Sequence, residues 1–360
     1  MSHLRKARLA LAAIAALAAV ALTGSGLHGT TVNPVPVTAN DVSLAAQSDS
    51  VPQPDIVGGR QAVGAYPWIA SFQLDLPGSP TLPPQKDAHN CTAWQFAQFW
   101  LAINAHCVTF ANGTPFDAAT IAAYNMKVRV GSLDRTQGGI VDKVAEVITV
   151  PGWNWGQLDA AGRINDNAVV RVVDPLPGQA LPVATATATP GQAVRLLGWG
   201  YTDPSGTGVP PQKLQMLDSH VADSPHECDT GLGGVDGFDV ALGEICVRNV
   251  DGTDAFCYGD SGSPLVSKKN GLWFNYGGAS RTPGLVPGCG GENMVYTDMA
   301  YFRPWDFAVA RGESRDKAMD HLPVPAQPKA THGPGPQVVT QVPVNADAQR
   351  AWRDEYALAR

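Results

Sequence analysis

The sequence predicts an all-β fold with many turns. Among its 360 residues are 38 glycines and 29 prolines, and only 16% are charged. This balance is typical of short strands joined by turns rather than of a helical bundle. From residue 56 onward, β-branched and aromatic runs such as WIASFQL, AVRLLGWG and LWFNYGGAS alternate with glycine and proline, as strands do. One helix-like segment, YFRPWDFAVAR at residues 301–311, closes the domain.

The amino-terminal segment has the layout of a secretory signal peptide. Arg5, Lys6 and Arg8 precede an apolar run over residues 9–22, and small residues follow it. A membrane-spanning helix needs roughly 20 apolar residues, so the shorter run favours export with cleavage over anchoring. We therefore expect residues 1–26 to be a signal peptide, and the mature protein to be secreted, extracellular and free of the membrane.

The remaining chain divides into three segments by composition. Residues 27–55 are polar and interrupted by proline, which predicts a mostly unstructured propeptide or leader. Residues 56–312 carry the strand pattern and are long enough to bury a large core. Residues 313–360 form a proline-rich tail, whose last residues, NADAQRAWRDEYALAR, predict a short terminal helix.

Charge and cysteine content argue against several classes of function. The net charge is −7 and no cluster of lysines and arginines stands out, so nucleic acid is not an expected partner. Six cysteines in an exported chain predict three disulfides, whose pairing the sequence order leaves open. The chain has no CxxC motif, and Asp142 and Glu146 lack the spacing of a calcium loop, so we expect no metal and no cofactor.

Three polar motifs together predict a nucleophilic serine. Ser261 lies in GDSG, His106 in INAHC, and Asp166 in NDNAVV, where it enters an apolar run. Each residue alone has an ordinary interpretation, as a turn serine, a packed histidine or a capping aspartate. Acyl transfer by serine needs a base, a carboxylate that orients the base, and donors for the oxyanion. The three motifs together supply these groups.

The order His106, Asp166, Ser261 resembles that of the chymotrypsin and trypsin family of serine endopeptidases. IVGG at residues 56–59, followed by YPWIASFQ, GWG and VYT, is similar to the motifs of that family, so the resemblance extends to about residue 311. It implies two packed antiparallel six-stranded β-barrels, over about residues 56–180 and 181–300, with the active site between them and a C-terminal helix. The alanine-rich leader suggests a bacterial member.

The resemblance also implies roles around Ser261. The backbone N–H groups of Gly259 and Ser261 would form the oxyanion hole, and Asp260 would pair with the amine of Ile56. That amine exists only after cleavage, so a zymogen is implied. Asp55 replaces the usual basic residue, so a trypsin-like activator would not cut there. The implied disulfides are Cys91–Cys107, Cys228–Cys246 and Cys257–Cys289.

The partners implied are polypeptide substrates, an activating protease and a proteinaceous inhibitor. The main alternative is a protease-like binding or adhesion module without catalysis, which the presence of the complete triad disfavours. A non-peptidase hydrolase such as an esterase is disfavoured because the chain lacks a GxSxG elbow in a βαβ context.

Several positions depart from the family pattern and bear on substrate choice. Trypsin-like members have an aspartate at the base of the specificity pocket, where this chain has Ala255. We expect a shallow, uncharged pocket that prefers small or medium apolar residues before the scissile bond, and Arg281 beside it to favour an acidic substrate group. The residues expected to form the pocket are Ala255, Phe256, Ser280, Thr282 and Met294.

Residues next to His106 and Asp166 also depart from the family pattern. Ile103 and Asn104 replace the more usual Thr-Ala before Ala-His-Cys, and Asn167 follows Asp166 where an isoleucine is common. Polar side chains next to a catalytic loop are mostly solvated, so we favour a solvent-facing Asn104 over one that bonds within the triad region.

Overall fold

The computed structural model describes residues 56–78, 83–154, 157–206, 208–228, 239–283 and 289–324. The expected signal peptide, the propeptide and residues 325–360 of the tail, with the expected terminal helix, lie outside these residues. The strands are β1 (Arg60–Gln61), β2 (Ile69–Leu76), β3 (Gln85–Ala97), β4 (Trp100–Ile103), β5 (Lys127–Val130), β6 (Ile140–Thr149), β7 (Ala168–Val172), β8 (Ala193–Gly198), β9 (Gln215–His220), β10 (Glu244–Val247), β11 (Pro264–Lys269), β12 (Leu272–Arg281) and β13 (Met294–Asp298). The helices are α1 (Ala118–Ala123), α2 (Met299–Ala310) and α3 (Arg315–Ala318).

Strands β2 to β7 close into the first barrel. They are antiparallel and follow the order β2-β3-β4-β7-β6-β5, and β5 pairs back onto β2. The interior is filled by apolar side chains from every strand, among them Phe72, Leu101, Val128 and Val170. Closure leaves no free edge in this barrel, so each strand is held on both sides.

The second sheet has the order β1-β9-β8-β11-β12-β13-β10. The chain just after β9 meets β10 at the opposite end of the sheet. Val221 forms a β-bridge with Val247, and the Ala222 amide donates to the Cys246 carbonyl at 2.9 Å. Six strands therefore form a barrel that is nearly closed, and β1 adds to the outer edge of β9. The expected fold class, two antiparallel β-barrels with a C-terminal helix, is confirmed.

The chain does not divide between the barrels at the residues we expected. Residues 56–61 were placed with the first barrel, but Ile56 is buried in the core of the second, and Val57 bridges Ala255. Strand β1 pairs with β9 of the second barrel. The beginning of the domain therefore crosses to the second barrel before the chain enters the first.

A third apolar cluster joins the two barrels and α2. It contains Trp68 and Trp94 from the first barrel, Trp199 next to the second, and Trp305 from α2. Ile69 of β2 lies in this cluster, while alternate residues of the same strand face the interior of the first barrel. The cluster fixes the position of one barrel against the other, and the candidate site depends on that position.

The C-terminal helix begins two residues earlier than expected and the packed structure continues beyond it. Asp298 caps α2 by accepting a hydrogen bond from the Ala300 amide at 2.8 Å. After α2, Trp305 Nε1 donates to the Arg315 carbonyl at 3.0 Å, and Ala318 and Leu322 are buried in the same cluster as Trp305. We expected a tail from residue 313, but packing extends to Leu322 because these apolar side chains cover α2.

All six cysteines are paired as the resemblance implied. The disulfides are Cys91–Cys107, Cys228–Cys246 and Cys257–Cys289, and no cysteine is free. Within the described part of the chain, no helix has the length and apolarity needed to cross a membrane.

Candidate active site

His106 and Asp166 meet because of strand pairing in the first barrel. β4 ends at Ile103 and leads into a helical turn that contains His106, while Asp166 lies two residues before the start of β7. Ile103 lies opposite Ala168 in the β4–β7 ladder. This pairing brings the side chains of His106 and Asp166 to the same end of the barrel. His106 Nδ1 donates to Asp166 Oδ2 at 2.8 Å, and the His106 amide donates to Oδ1 at 3.0 Å.

The Asp166 carboxylate is buried and well supplied with donors. Besides His106, Ser280 donates its hydroxyl to Oδ2 at 2.6 Å, and Asn104 donates its side-chain amide at 3.1 Å. Burial alone would raise the pKa of Asp166, but the charge of His106 and the hydrogen bonds outweigh it and hold that pKa below its usual range. The group is therefore an anion that orients the His106 ring.

Ser261 lies in the loop before β11, against the segment that carries His106. Its carbonyl accepts from the Thr92 amide at 2.9 Å, and the next residue, Gly262, donates its amide to the Ala279 carbonyl at 2.9 Å. A Cβ on Gly262 would lie 2.4 Å from the Thr92 carbonyl oxygen and 3.3 Å from the backbone nitrogen of Asn104. Any side chain at this position would clash with these atoms, and the positive φ of Gly262 also favours glycine.

The Asp260 carboxylate is buried against two glycines of the GWG motif. It accepts from the Gly200 and Cys257 amides at 2.8 Å each. A Cβ on Gly198 would lie 2.0 Å from the carboxylate and one on Gly200 would lie 2.4 Å from it. The glycines of this motif make room for Asp260. Burial raises the pKa of Asp260 to about 7, and within the described residues no cationic side chain pairs with it.

His89 supports Gly259 and was not identified from the sequence. Its Nε2 lies 2.9 Å from the Gly259 carbonyl, which can only accept, so Nε2 carries the proton. Its Nδ1 then accepts from the Ser71 hydroxyl at 2.7 Å, and burial lowers the pKa of His89 to about 3. Thr92 also donates to the same carbonyl at 3.1 Å. The available signal was a histidine two residues before Cys91.

The residues expected at the base of the pocket are closely packed. Ala255 and Met294 are fully buried, and the Phe256 amide lies 3.3 Å from Met294 Sδ. The Phe256 ring packs edge-on against Tyr296 with 5.5 Å between centroids. Asp254 does not supply a charge to this cluster, because its carboxylate lies against Gly58, where a Cβ would come within 2.4 Å.

The end of β12 was expected to form a wall of the specificity pocket, and the structure differs from that expectation at Arg281. Ser280 points to Asp166, and Thr282 is half-buried after the strand ends. The Arg281 guanidinium is buried and paired with both carboxylate oxygens of Glu244 on β10. The expectation that Arg281 favours an acidic substrate group is corrected, since Glu244 already neutralises its charge.

The preference for a solvent-facing Asn104 is wrong. Its side chain is buried, and its amide lies 2.9 Å from the Asp166 carbonyl and 3.0 Å from Thr297 Oγ1 as well as near the Asp166 carboxylate. Asn167 is also buried, and donates to Asp306 of α2 at 2.7 Å. The sequence could not reveal these contacts because Thr297 and Asp306 are far from both asparagines along the chain.

One cluster of metal-ligating residue types appears among the described residues. The side chains of Cys91, His106 and Cys107 lie close together. The two sulfurs are joined in a disulfide, so neither is available as a thiolate ligand. The cluster reflects the disulfide that closes the loop around His106.

Comparison with known proteins agrees with this geometry. The trypsin family model matches residues 56–305. Trypsin alpha of Drosophila erecta is 30% identical over 272 residues, which cover 72% of this chain and 90% of that protein. The hepatocyte growth factor activator serine protease of Mus musculus is 28% identical over 70% of this chain and 36% of its own length.

A solved structure also matches the fold. The structure of neuropsin, a serine protease expressed in the limbic system of mouse brain, has a TM-score of 0.53 and 20% identity, covering 70% of this chain and 98% of its own. The named relatives come from flies and mouse, so the expectation of a bacterial member gains no support from them. The family match over most of the chain settles membership: this protein belongs to the trypsin family of serine endopeptidases.

Proposed function

We propose that this protein hydrolyses peptide bonds through an acyl-enzyme formed on Ser261. The observation that carries the proposal is the buried hydrogen bond of 2.8 Å between His106 Nδ1 and an anionic Asp166, next to the loop that holds Ser261. Orientation of the imidazole by Asp166 leaves Nε2 as the base toward the serine.

In the proposed reaction, Ser261 Oγ attacks the substrate carbonyl carbon as its proton passes to His106 Nε2. The tetrahedral oxyanion accepts hydrogen bonds from the backbone N–H groups of Gly259 and Ser261. His106 then gives the proton to the leaving amine, the C–N bond breaks, and an acyl ester remains on Ser261. His106 then deprotonates a water that attacks the ester carbon, and it returns the proton to Ser261 Oγ as the ester C–O bond breaks and the acid is released. The contacts of His89 and Thr92 with the Gly259 carbonyl support a fixed oxyanion loop.

We propose further that the protein is secreted as a zymogen, activated by cleavage between Asp55 and Ile56. The layout of residues 1–26 supports export. Within the described residues, the buried Asp260 carboxylate accepts hydrogen bonds only from backbone amides. This supports a missing cation, which the new amine of Ile56 would supply. Ile56 is already buried in the second barrel, in the same cluster as Ala255 and Phe256, a few residues before Asp260 in the chain.

Substrate preference is proposed to be for small or medium apolar residues before the scissile bond. The support is the buried, uncharged cluster of Ala255, Phe256 and Met294, together with the Arg281–Glu244 ion pair that neutralises the neighbouring wall. On peptide substrates that differ at this one residue, alanyl, valyl or leucyl substrates should have a higher kcat/KM than arginyl ones. A faster arginyl substrate would contradict the preference and leave the mechanism untouched.

The test of the function is covalent labelling by a fluorophosphonate, measured by intact mass on the secreted protein and on Ser261→Ala, with the amino terminus determined in the same sample. We expect one label on the wild type beginning at Ile56 and none on Ser261→Ala. An unlabelled protein that begins at Ile56 would contradict catalysis and support the non-catalytic binding module instead.

A further inference from the structure

Asn104 occupies an unusual position beside the candidate acid. Asparagine before a helical turn commonly caps that turn with its side chain. Here Asn104 precedes the helical turn Ala105–Cys107 but makes no side-chain capping bond. Its amide is directed inward instead, and only 2% of the residue is exposed.

The Asn104 amide reaches both the carboxylate and the backbone of Asp166. It lies 3.1 Å from Oδ2 and 2.9 Å from the carbonyl of that residue. The Thr297 hydroxyl donates to the same carbonyl at 2.9 Å, and Asn104 Nδ2 lies 3.0 Å from the Thr297 oxygen. Thr297 belongs to β13 of the second barrel, so these contacts connect the acid of the first barrel to the second.

The chain makes room for this side chain at Gly278 on β12. A Cβ at residue 278 would lie 2.5 Å from Asn104 Oδ1. Gly278 does not have a positive φ, so its backbone conformation does not require glycine. The main effect of a glycine at this position is therefore the space that it leaves for the Asn104 side chain. Where the family more often has Thr-Ala, this chain has Ile103 and Asn104, so the hydroxyl at 103 is absent and an amide appears at 104.

We infer that Asn104 is a positioning residue for the reaction, holding the Asp166 carboxylate toward His106 across the junction of the two barrels. The inference rests on the proposed mechanism at Ser261. His106 and Asp166 come from the first barrel and Ser261 from the second, so alignment of the three depends on contacts across this junction. The Asn104 side chain contacts the Asp166 carboxylate within the first barrel and reaches across the junction to Thr297.

The test compares activated wild type, Asn104→Ala and the larger Asn104→Leu, which removes the donor without leaving a cavity. Hydrogen bonds to charged groups are strong, so kcat should fall about ten- to a hundredfold in both variants while KM stays within about twofold. An unchanged kcat in both variants, or a loss confined to KM, would overturn the inference.

Two further variants separate positioning from a loss of folding. Asn275→Ala truncates another fully buried asparagine, whose side-chain oxygen accepts from the Gly277 amide at 3.1 Å, and should keep the wild-type kcat and KM. Gly278→Ala should lower kcat by displacing Asn104, but should cost nothing more when Asn104 is already alanine. Additive effects of the two substitutions would contradict the role of Asn104. A wild type that fluorophosphonate does not label would instead refute the proposed function on which the inference rests.

Discussion

At the scale of residues, two buried aspartates near the site have opposite electrostatic environments. Asp166 receives donors from His106, Ser280 and Asn104, which keep it ionised although it is buried. Asp306 is equally buried, but among the described residues Asn167 is its one side-chain donor and its Oδ2 has no partner. Burial therefore raises the pKa of Asp306 to about 8. The same residue type is an anion in one place and a neutral acid in the other.

The first prediction concerns the pH dependence that Asp306 gives to stability. Its folded-state pKa is raised from 3.8 to about 8, so the folded protein holds a proton that the unfolded chain releases. The resulting stabilisation is complete below pH 3.8 and is lost as the pH rises through about 8. Asp306→Asn keeps the acceptor for Asn167 and cannot ionise. In urea unfolding at pH 5 and pH 8, the wild type should lose more stability than the variant, and equal losses would contradict the prediction.

At the scale of elements, α2 acts as a platform for both the barrels and the chain that follows it. Trp305 fills the cluster between the barrels, and Asp306 on the same helix anchors Asn167 beside Asp166. Residues beyond α2 return across it, as the bond from Trp305 Nε1 to the Arg315 carbonyl shows. The helix therefore couples the position of the acid to the packing of the C-terminal segment.

The second prediction tests whether this segment belongs to the core. Leu322 is buried in the cluster around Trp305, whereas Val324 is exposed. Leu322→Ala should lower the free energy of unfolding by about 2–4 kcal/mol, because a buried methyl-rich side chain leaves a cavity. Val324→Ala should change it by less than about 0.5 kcal/mol. Equal small effects in urea unfolding would mean that the segment does not pack as described.

At the scale of the whole molecule, the site lies where three packing units meet. The first barrel provides His106 and Asp166, and the second provides Ser261 and Ser280. The third apolar cluster, which contains Trp305, holds the barrels together. The beginning of the domain, at Ile56, is buried in the second barrel close to the chain that leads to Ser261. Under the proposed activation, a cut before Ile56 would add a charged amine to this part of the molecule.

The third prediction uses this arrangement to distinguish the uncleaved from the cleaved protein. In the uncleaved chain, Asp260 has a folded-state pKa raised to about 7, so its contribution to stability is complete below 3.8 and is lost as the pH rises through 7. After cleavage, the amine of Ile56 would pair with the carboxylate and remove this loss. Thermal unfolding at pH 5.5 and 8.5 should show a larger drop for the uncleaved protein, and identical drops would contradict the pairing.

Much of the fold and the order of the site residues could be read from the sequence. Strands and turns follow from local runs of β-branched residues and glycine, and the motifs around His106, Asp166 and Ser261 lie within a few residues of each group. The disulfide pairing and the two barrels came from the resemblance of these motifs. Local patterns were sufficient for the strands and the motifs, because these are encoded by neighbouring residues, whereas the pairing and the barrels needed the family resemblance.

The contacts of Asn104, Asn167, His89 and Arg281 were decided by tertiary structure alone. Each pairs with a group from a distant part of the chain, on β13, α2, the Ser261 loop or β10. A polar residue is solvated or buried according to what folds over it, and the sequence near it does not contain that information. The sequence by itself therefore determined the strands, the family motifs and the order of the candidate triad, whereas the packing of the two barrels against α2 decided which polar groups hold Asp166 in place.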